Sequence, residues 1–129
     1  MPAERSTTGR AGEDAAAGYL ARHGCDIIAR NWRTNPGEVD IIAWHHEAGR
    51  EGQGTLVFVE VRTRHGEKGT AEESISPRKA ASMVTAAYAY MAANNLDPER
   101  TAWRIDLVGV AMRGTDILSI NWVQNALEE

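Results

Sequence analysis

Two short stretches each set a carboxylate into an otherwise apolar run: Gly37-Glu38-Val39-Asp40-Ile41-Ile42 and Val57-Phe58-Val59-Glu60-Val61-Arg62. Runs rich in Val, Ile and Phe read as β-strands that gain their stability by burial. A carboxylate in the middle of such a strand is costly unless something compensates it. Something in the fold must therefore compensate Asp40 and Glu60, and two such acids together suggest a divalent metal.

Periodicity and punctuation order the rest of the chain. From about Gly9 to His23 the sequence is Ala-rich, with Ala16, Tyr19 and Leu20 at helical spacing and Gly24 placed to stop the helix. Strands are expected at Asp26 to Arg33, Glu38 to Trp44 and Thr55 to Thr63, with turn chemistry at Asn35-Pro36-Gly37 and a polar Gly-rich loop from Gly49 to Gly54. Ser76 followed by Pro77 is a strong helix start, since the serine caps exposed N–H groups and proline fits the first helical position. That helix runs to about Asn94 and carries an apolar stripe of Ala80, Val84, Ala87, Tyr88 and Met91. Two last strands, Trp103 to Met112 and Asp116 to Val123, join through Arg113-Gly114-Thr115 and complete an αβββαββ order.

Composition bounds the function. A chain of 129 residues, 43% hydrophobic, fits one ordinary core, so a single domain over residues 1–129 is expected, with residues 1–8 flexible. No run approaches the roughly 20 apolar residues that span a bilayer, and the polar start from Met1 to Arg10 is not signal-like, so the expected compartment is the cytoplasm, with no membrane partner. The lone Cys25 cannot form an internal disulfide and reads as a small core residue. A net charge of −4 argues against coating nucleic acid by bulk electrostatics. Locally, Arg62, Arg64, Lys68, Arg78 and Lys79 outnumber Glu67, Glu72 and Glu73. This concentration reads either as a phosphate-facing rim or as a solvated loop of mixed charge.

Strand geometry carries the acids further. Alternate residues share a face, so Glu38, Asp40 and Ile42 are expected on one face, and Leu56, Phe58, Glu60 and Arg62 on one face of the next strand. If the strands pair, the acids converge. Carboxylates with a backbone carbonyl, here that of Val61, and water suit Mg²⁺ or Mn²⁺ better than zinc. His45 and His46 are adjacent and would point to opposite faces of a continuing strand, which disfavours shared ligation. His65 directly follows the Glu60 strand and is a lesser candidate for a phosphate or a metal-bound water. Trp32, Trp44, Trp103 and Trp122 fall in strands, where burial is the default over base stacking.

Together the residues resemble a known family. Gly9-Arg10-x-Gly12-Glu13, Asn31-Trp32-Arg33, Gly37-Glu38-Val39-Asp40, Phe58-Val59-Glu60-Val61-Arg62-Thr63-Arg64 and Pro77-Arg78-Lys79 look like the YraN family of uncharacterised bacterial proteins, over nearly the whole chain. That family resembles the PD-(D/E)XK nuclease superfamily and, within it, Holliday junction resolvases. The resemblance implies an α/β fold with a restriction-endonuclease-like αβββαβ core, in which a mixed central sheet is flanked by helices. It puts Asp40 at the superfamily's metal-binding aspartate and Glu60 at the acid of its Asp/Glu-x-Lys element. Glu13 matches a helix-borne acid that shares the metal, although an exposed carboxylate favoured by the helix macrodipole would look the same. Glu38 is either a helper from the Asp40 strand or a rim residue.

The chain departs from the superfamily pattern at Arg62, which stands where the motif has lysine. Arginine stays protonated and cannot act as a general base, but it can orient water or stabilise charge on a phosphate. Lys79 supplies an amine from another element in one reading and is a surface lysine in the other. The resulting expectation is a Mg²⁺- or Mn²⁺-dependent nuclease acting on DNA, branched or structured. Asp40, Glu60 and Arg62 are its catalytic residues, Glu13, Asp40, Glu60 and Val61 hold the metal, and Arg64, Arg78 and Lys79 contact the nucleic acid. A non-catalytic nucleic-acid-binding or protein-interaction module is the alternative, and a homodimer would suit a symmetric substrate.

Overall fold

A computed structural model describes residues 7–35, 37–66 and 75–127. Pro36, Glu67, Lys68, Glu72, Glu73 and much of the segment expected to be flexible lie outside these residues. The chain forms helix α1 (Thr7–Arg22), strands β1 (Cys25–Arg33), β2 (Glu38–His46) and β3 (Gly54–His65), helix α2 (Pro77–Ala93), and strands β4 (Trp103–Arg113) and β5 (Asp116–Val123). The expected αβββαββ order is present, so the αβββαβ core that the resemblance implies is extended by β5. Boundaries differ from the sequence reading by one or two residues at most ends, as fraying and caps dictate.

The five strands form one mixed sheet in the order β1-β2-β3-β4-β5. β1, β2 and β3 make an antiparallel meander, β3 and β4 are parallel with α2 in the crossover, and β5 returns antiparallel to β4. The parallel step requires a crossover, which explains why the long apolar stripe of α2 lies between these two strands in sequence. One face of the sheet packs Val39, Ile42, Leu56, Phe58, Ile105 and Leu107 against Met83, Ala87 and Met91 of α2. The other packs Ile41, Ala43, Val57, Val59, Val108 and Val110 against Ala16 and Leu20 of α1. The central strands are thus covered on both sides, which explains their continuous apolar runs.

Local chemistry fixes the helices in place. Gly24 takes φ 97° after α1, the left-handed conformation that ends a helix at low cost, and its carbonyl accepts from the His46 N–H at 2.9 Å. The Ser76 hydroxyl accepts from the Lys79 N–H at 3.2 Å, with Pro77 in the first helical turn. Cys25 is buried as expected, and desolvation pushes its thiol up to about 11, so it is an inert core residue. The four tryptophans are only partly buried: Trp32, Trp44 and Trp103 pack on the α2-side cluster and Trp122 on the other. β5 is a largely exposed edge, with Ile117 and Leu118 both turned to solvent.

Close approach of α1 to the sheet depends on Gly12. A Cβ there would collide with the Thr63 hydroxyl on β3. Alanine improves helix propensity by roughly 0.5–1 kcal/mol, whereas overpacking costs about 1–3 kcal/mol. Gly12→Ala should therefore destabilise the protein by about 1 kcal/mol in urea unfolding, and the same change in a Thr63→Ala background should be neutral or stabilising.

Candidate metal centre

The sheet splits where the acids stand. β2 and β3 pair from His46↔Gly54 to Ile41↔Val59 and no further. Beyond that point β2 stays with β1 as far as Arg33↔Glu38, and β3 stays with β4 as far as His65↔Met112. Asp40 and Glu60 are the first residues past the last β2–β3 pair. The Asp40 carboxylate turns into the gap and its Oδ2 accepts from the Val61 N–H at 2.8 Å. Asp40 is 7% exposed, so the cost of burying this acid is met in part by a backbone donor.

The expectation that Glu38, Asp40 and Ile42 share a face requires correction. Val39 and Ile42 pack in the same α2-side cluster, whereas Ile41 and Ala43 pack on the α1 side, so alternation fails between Val39 and Ile42. The change of face coincides with a step the β1–β2 ladder omits, because the pairing passes from Arg30↔Ile41 to Trp32↔Val39. Glu38 lies near its cross-strand neighbour Arg33, with Oε2 at 3.7 Å from Nε, and stands at the rim.

On β3 alternation holds. Leu56 and Phe58 pack toward α2, and Glu60 lies on that side within reach of the helix: its Oε1 is 3.5 Å from Lys79 Nζ and its Oε2 is 3.8 Å from Arg62 Nε. Lys79, whose backbone N–H bonds the Ser76 cap, thus meets Glu60 from a different element of the chain. Burial raises the Glu60 pKa first, the Asp40 charge raises it further, and Lys79 and Arg62 oppose both. Arg64 is partly buried on β3, Arg78 is exposed in the first turn of α2, and His65 is exposed at the end of β3.

Glu13 comes to the other side of the split on α1 and is only 2% exposed. Its Oε1 accepts from Asn31 Nδ2 at 3.3 Å and lies 3.5 Å from Arg30 Nη2, which also bonds Asp14 at 2.8 Å. The exposed-carboxylate reading of Glu13 is thus incorrect: gathering α1 against β1 buries it. Among the described residues, no group of three His, Cys, Asp or Glu side chains converges closely enough to hold a metal by itself. Mg²⁺ needs fewer protein ligands than that, since it keeps several waters and binds through one or two carboxylates. The oxygen donors of Asp40 and Glu60, crowded so that one raises the pKa of the other, fit such a hard cation and do not fit a tetrahedral zinc site.

Comparison with known proteins places the chain. The model of Uncharacterised protein family UPF0102 matches residues 12–110. The chain belongs to the UPF0102 family. It is 44% identical to a UPF0102 protein of Chloroflexus aurantiacus over 129 residues, covering 100% of this chain and 99% of that one. A UPF0102 protein of Roseiflexus castenholzii is 43% identical, with 100% and 99% of the two chains covered. Among solved structures, that of Pyrococcus furiosus SfsA in complex with Ca²⁺ is similar with a TM-score of 0.43 and 14% identity, covering 93% of this chain and 65% of the other.

This UPF0102 chain contains one more buried acid, which the sequence reading missed. Asp106 on β4 is fully buried. It accepts from Arg104 Nε at 2.9 and 3.1 Å, from Trp122 Nε1 at 2.9 Å and from the Asn125 N–H at 2.9 Å. Arg104 Nη2 in turn donates to His45 Nδ1 at 2.8 Å, which leaves the ring proton on Nε2, and burial followed by the Arg104 charge lowers the His45 pKa. His46 turns instead to Asp26, with Nε2 to Oδ2 at 2.8 Å, so the adjacent histidines have separate partners. Arg104, His45, His46 and Thr55 line a cavity of about 400 Å³ at the start of β3, away from Glu60 in mid-strand. The signal was present in the sequence: Ile105-Asp106-Leu107-Val108 sets a carboxylate into an apolar strand as at Asp40 and Glu60, with Arg104 two residues before it on the same strand.

Two outcomes follow from these environments. A folded-state pKa above the unfolded one means that the native state holds the Glu60 proton longer, so stability is lost as pH rises from the ordinary glutamate range through the folded value. Glu60→Gln should therefore raise the melting temperature at about pH 8, and the gain should vanish below the ordinary glutamate pKa. A lower melting temperature at every pH would mean that the Lys79 and Arg62 contacts outweigh burial. At the other end of the sheet, Arg104→Met strips Asp106 of its cationic partner and should cost about 3–5 kcal/mol in chemical unfolding.

Proposed function

We propose that the protein is a Mg²⁺- or Mn²⁺-dependent endonuclease that hydrolyses phosphodiesters in DNA, with branched or structured DNA as its substrate class. The observation that carries this reading is the split between β2 and β3, with Asp40 and Glu60 at its mouth and Arg62 and Lys79 beside them. Asp40 and Glu60 would hold the cation together with the Val61 carbonyl, and Glu13 would assist from α1. When bound, the cation supplies Lewis acidity toward the phosphate and lowers the pKa of a water.

The chain's own residues account for the remaining chemistry. Arg62 keeps its proton, so it orients the phosphate or the attacking water and stabilises the charge that develops on the phosphate oxygens. Lys79, held by the α2 cap, places a second cation on the same side. Arg64 and Arg78 hold the nucleic-acid backbone as phosphate contacts. The net charge of −4 confines attraction to this local rim, so binding should depend on salt through few contacts.

Arg62 also favours a second reading, in which the module binds nucleic acid on the same surface without cleaving it. Incubation with linear, flapped and four-way-junction DNA in Mg²⁺, Mn²⁺ or chelator separates the two. The nuclease reading expects metal-dependent cleavage that falls about a hundredfold or more in Asp40→Asn and Glu60→Gln. Retained binding without cleavage selects the module, and failure of Mn²⁺ to raise the melting temperature in a manner lost with Asp40→Asn sinks the catalytic reading.

A further inference from the structure

Asn31 is the residue directly across β1–β2 from Asp40. The register pairs Arg30 with Ile41 and Trp32 with Val39, which leaves Asn31 opposite Asp40 at a step the ladder omits without a change of register, whereas the bulge between Ile27 and Ala29 shifts the register. Asn31 has φ 54°, in the left-handed region. Among the described residues the other non-glycine positions with positive φ are Asn95, just after α2, and Asn125, just after β5. Those are turn positions, where asparagine commonly visits this conformation. Asn31 is in the interior of a strand, where the conformation costs energy and persists only if the surroundings enforce it.

The consequence appears on both strands. Arg30 and Asn31 are consecutive, yet both reach Glu13 on α1, while Trp32 packs on the opposite side in an edge contact with Tyr90 of α2. Opposite them, Ile41 packs toward α1 and Val39 toward α2. Regular pleating would put residues 39 and 41 on the same face. The change of phase is centred on Asn31 and Asp40, and the Asp40 side chain lies in the split, bonded to the Val61 N–H.

We infer that Asn31 is a positioning residue for the acids: its left-handed backbone turns Asp40 out of the β1–β2 ladder into the split, and its amide holds Glu13 at the same place. The metal consequence rests on the proposed function, whereas the geometric part stands by itself and is read at the Val61 amide. Glycine adopts φ 54° freely and has no side chain, so Asn31→Gly keeps the turn and removes the amide. Valine resists positive φ, so Asn31→Val removes both.

Amide hydrogen exchange followed by nuclear magnetic resonance tests the geometry, and Mn²⁺ titration tests its use. Asn31→Gly should leave Val61 protection near wild type, whereas Asn31→Val should speed Val61 exchange by about tenfold while Phe58 and Ile105 keep their protection. Mn²⁺ affinity should follow Val61, falling about tenfold in the valine variant and less in the glycine variant. If valine prevents folding, Asn31→Ala reads the same two quantities with a smaller steric change. Val61 protection equal to wild type in a folded valine or alanine variant overturns the inference. Wild-type protein that binds no Mn²⁺ overturns the metal consequence and the proposed function together, and the Val61 result then decides the geometric part.

Discussion

The hydrogen bond from the Val61 N–H to the Asp40 carboxylate holds the candidate centre together. A β-sheet ordinarily satisfies its backbone groups strand to strand, and a gap between two strands leaves donors in need of partners. Here the gap is closed by a side chain, so the same contact stabilises a buried carboxylate and fixes where it points. The charge-assisted bond helps to offset desolvation, the largest obstacle to an acid in an apolar strand. It also brings Asp40 close enough to Glu60 for the two charges to oppose each other.

The helices complete what the split begins. Gly12 lets α1 lie against β3 so that Glu13 is buried near β1, and the Ser76 cap presents Lys79 from α2 to Glu60. Each acid has nearby positive charge: Arg30 at Glu13, and Lys79 with Arg62 at Glu60. The divalent ion of the proposed function would relieve the same repulsion that the side chains now relieve in part. The Asp106 group shows the contrasting outcome. It is buried completely and satisfied by donors from Arg104, Trp122 and Asn125, which makes it a structural anchor for β4 and β5.

Most of the architecture was legible because local signals agreed with one another. The apolar runs, the Ser76-Pro77 start, the Gly24 stop and the turn glycines placed all seven elements, while the mixed sheet was implied by the family resemblance alone. Asp40 and Glu60 were visible as acids out of place in their strands. The face of Asp40 was not, because period-two reasoning assumes an unbroken ladder, and the left-handed Asn31 on a different strand breaks it. Asp106 carried the same signal, an acid in an apolar strand with Arg104 two residues away, but its other donors, Trp122 and the Asn125 N–H, come from the far side of a turn and are not encoded in its own strand.

By itself, the sequence determined the secondary structure, its order and the acid-bearing strands, since these depend on neighbours a few residues apart and on the preference of apolar side chains for burial. Tertiary structure decided that β2 and β3 part just after Ile41 and Val59, that Glu13 is buried beside Asn31 and Arg30, and that Lys79 reaches Glu60. These are contacts between segments far apart in the chain, set by packing two helices on opposite faces of one sheet. No periodicity within a single segment encodes them.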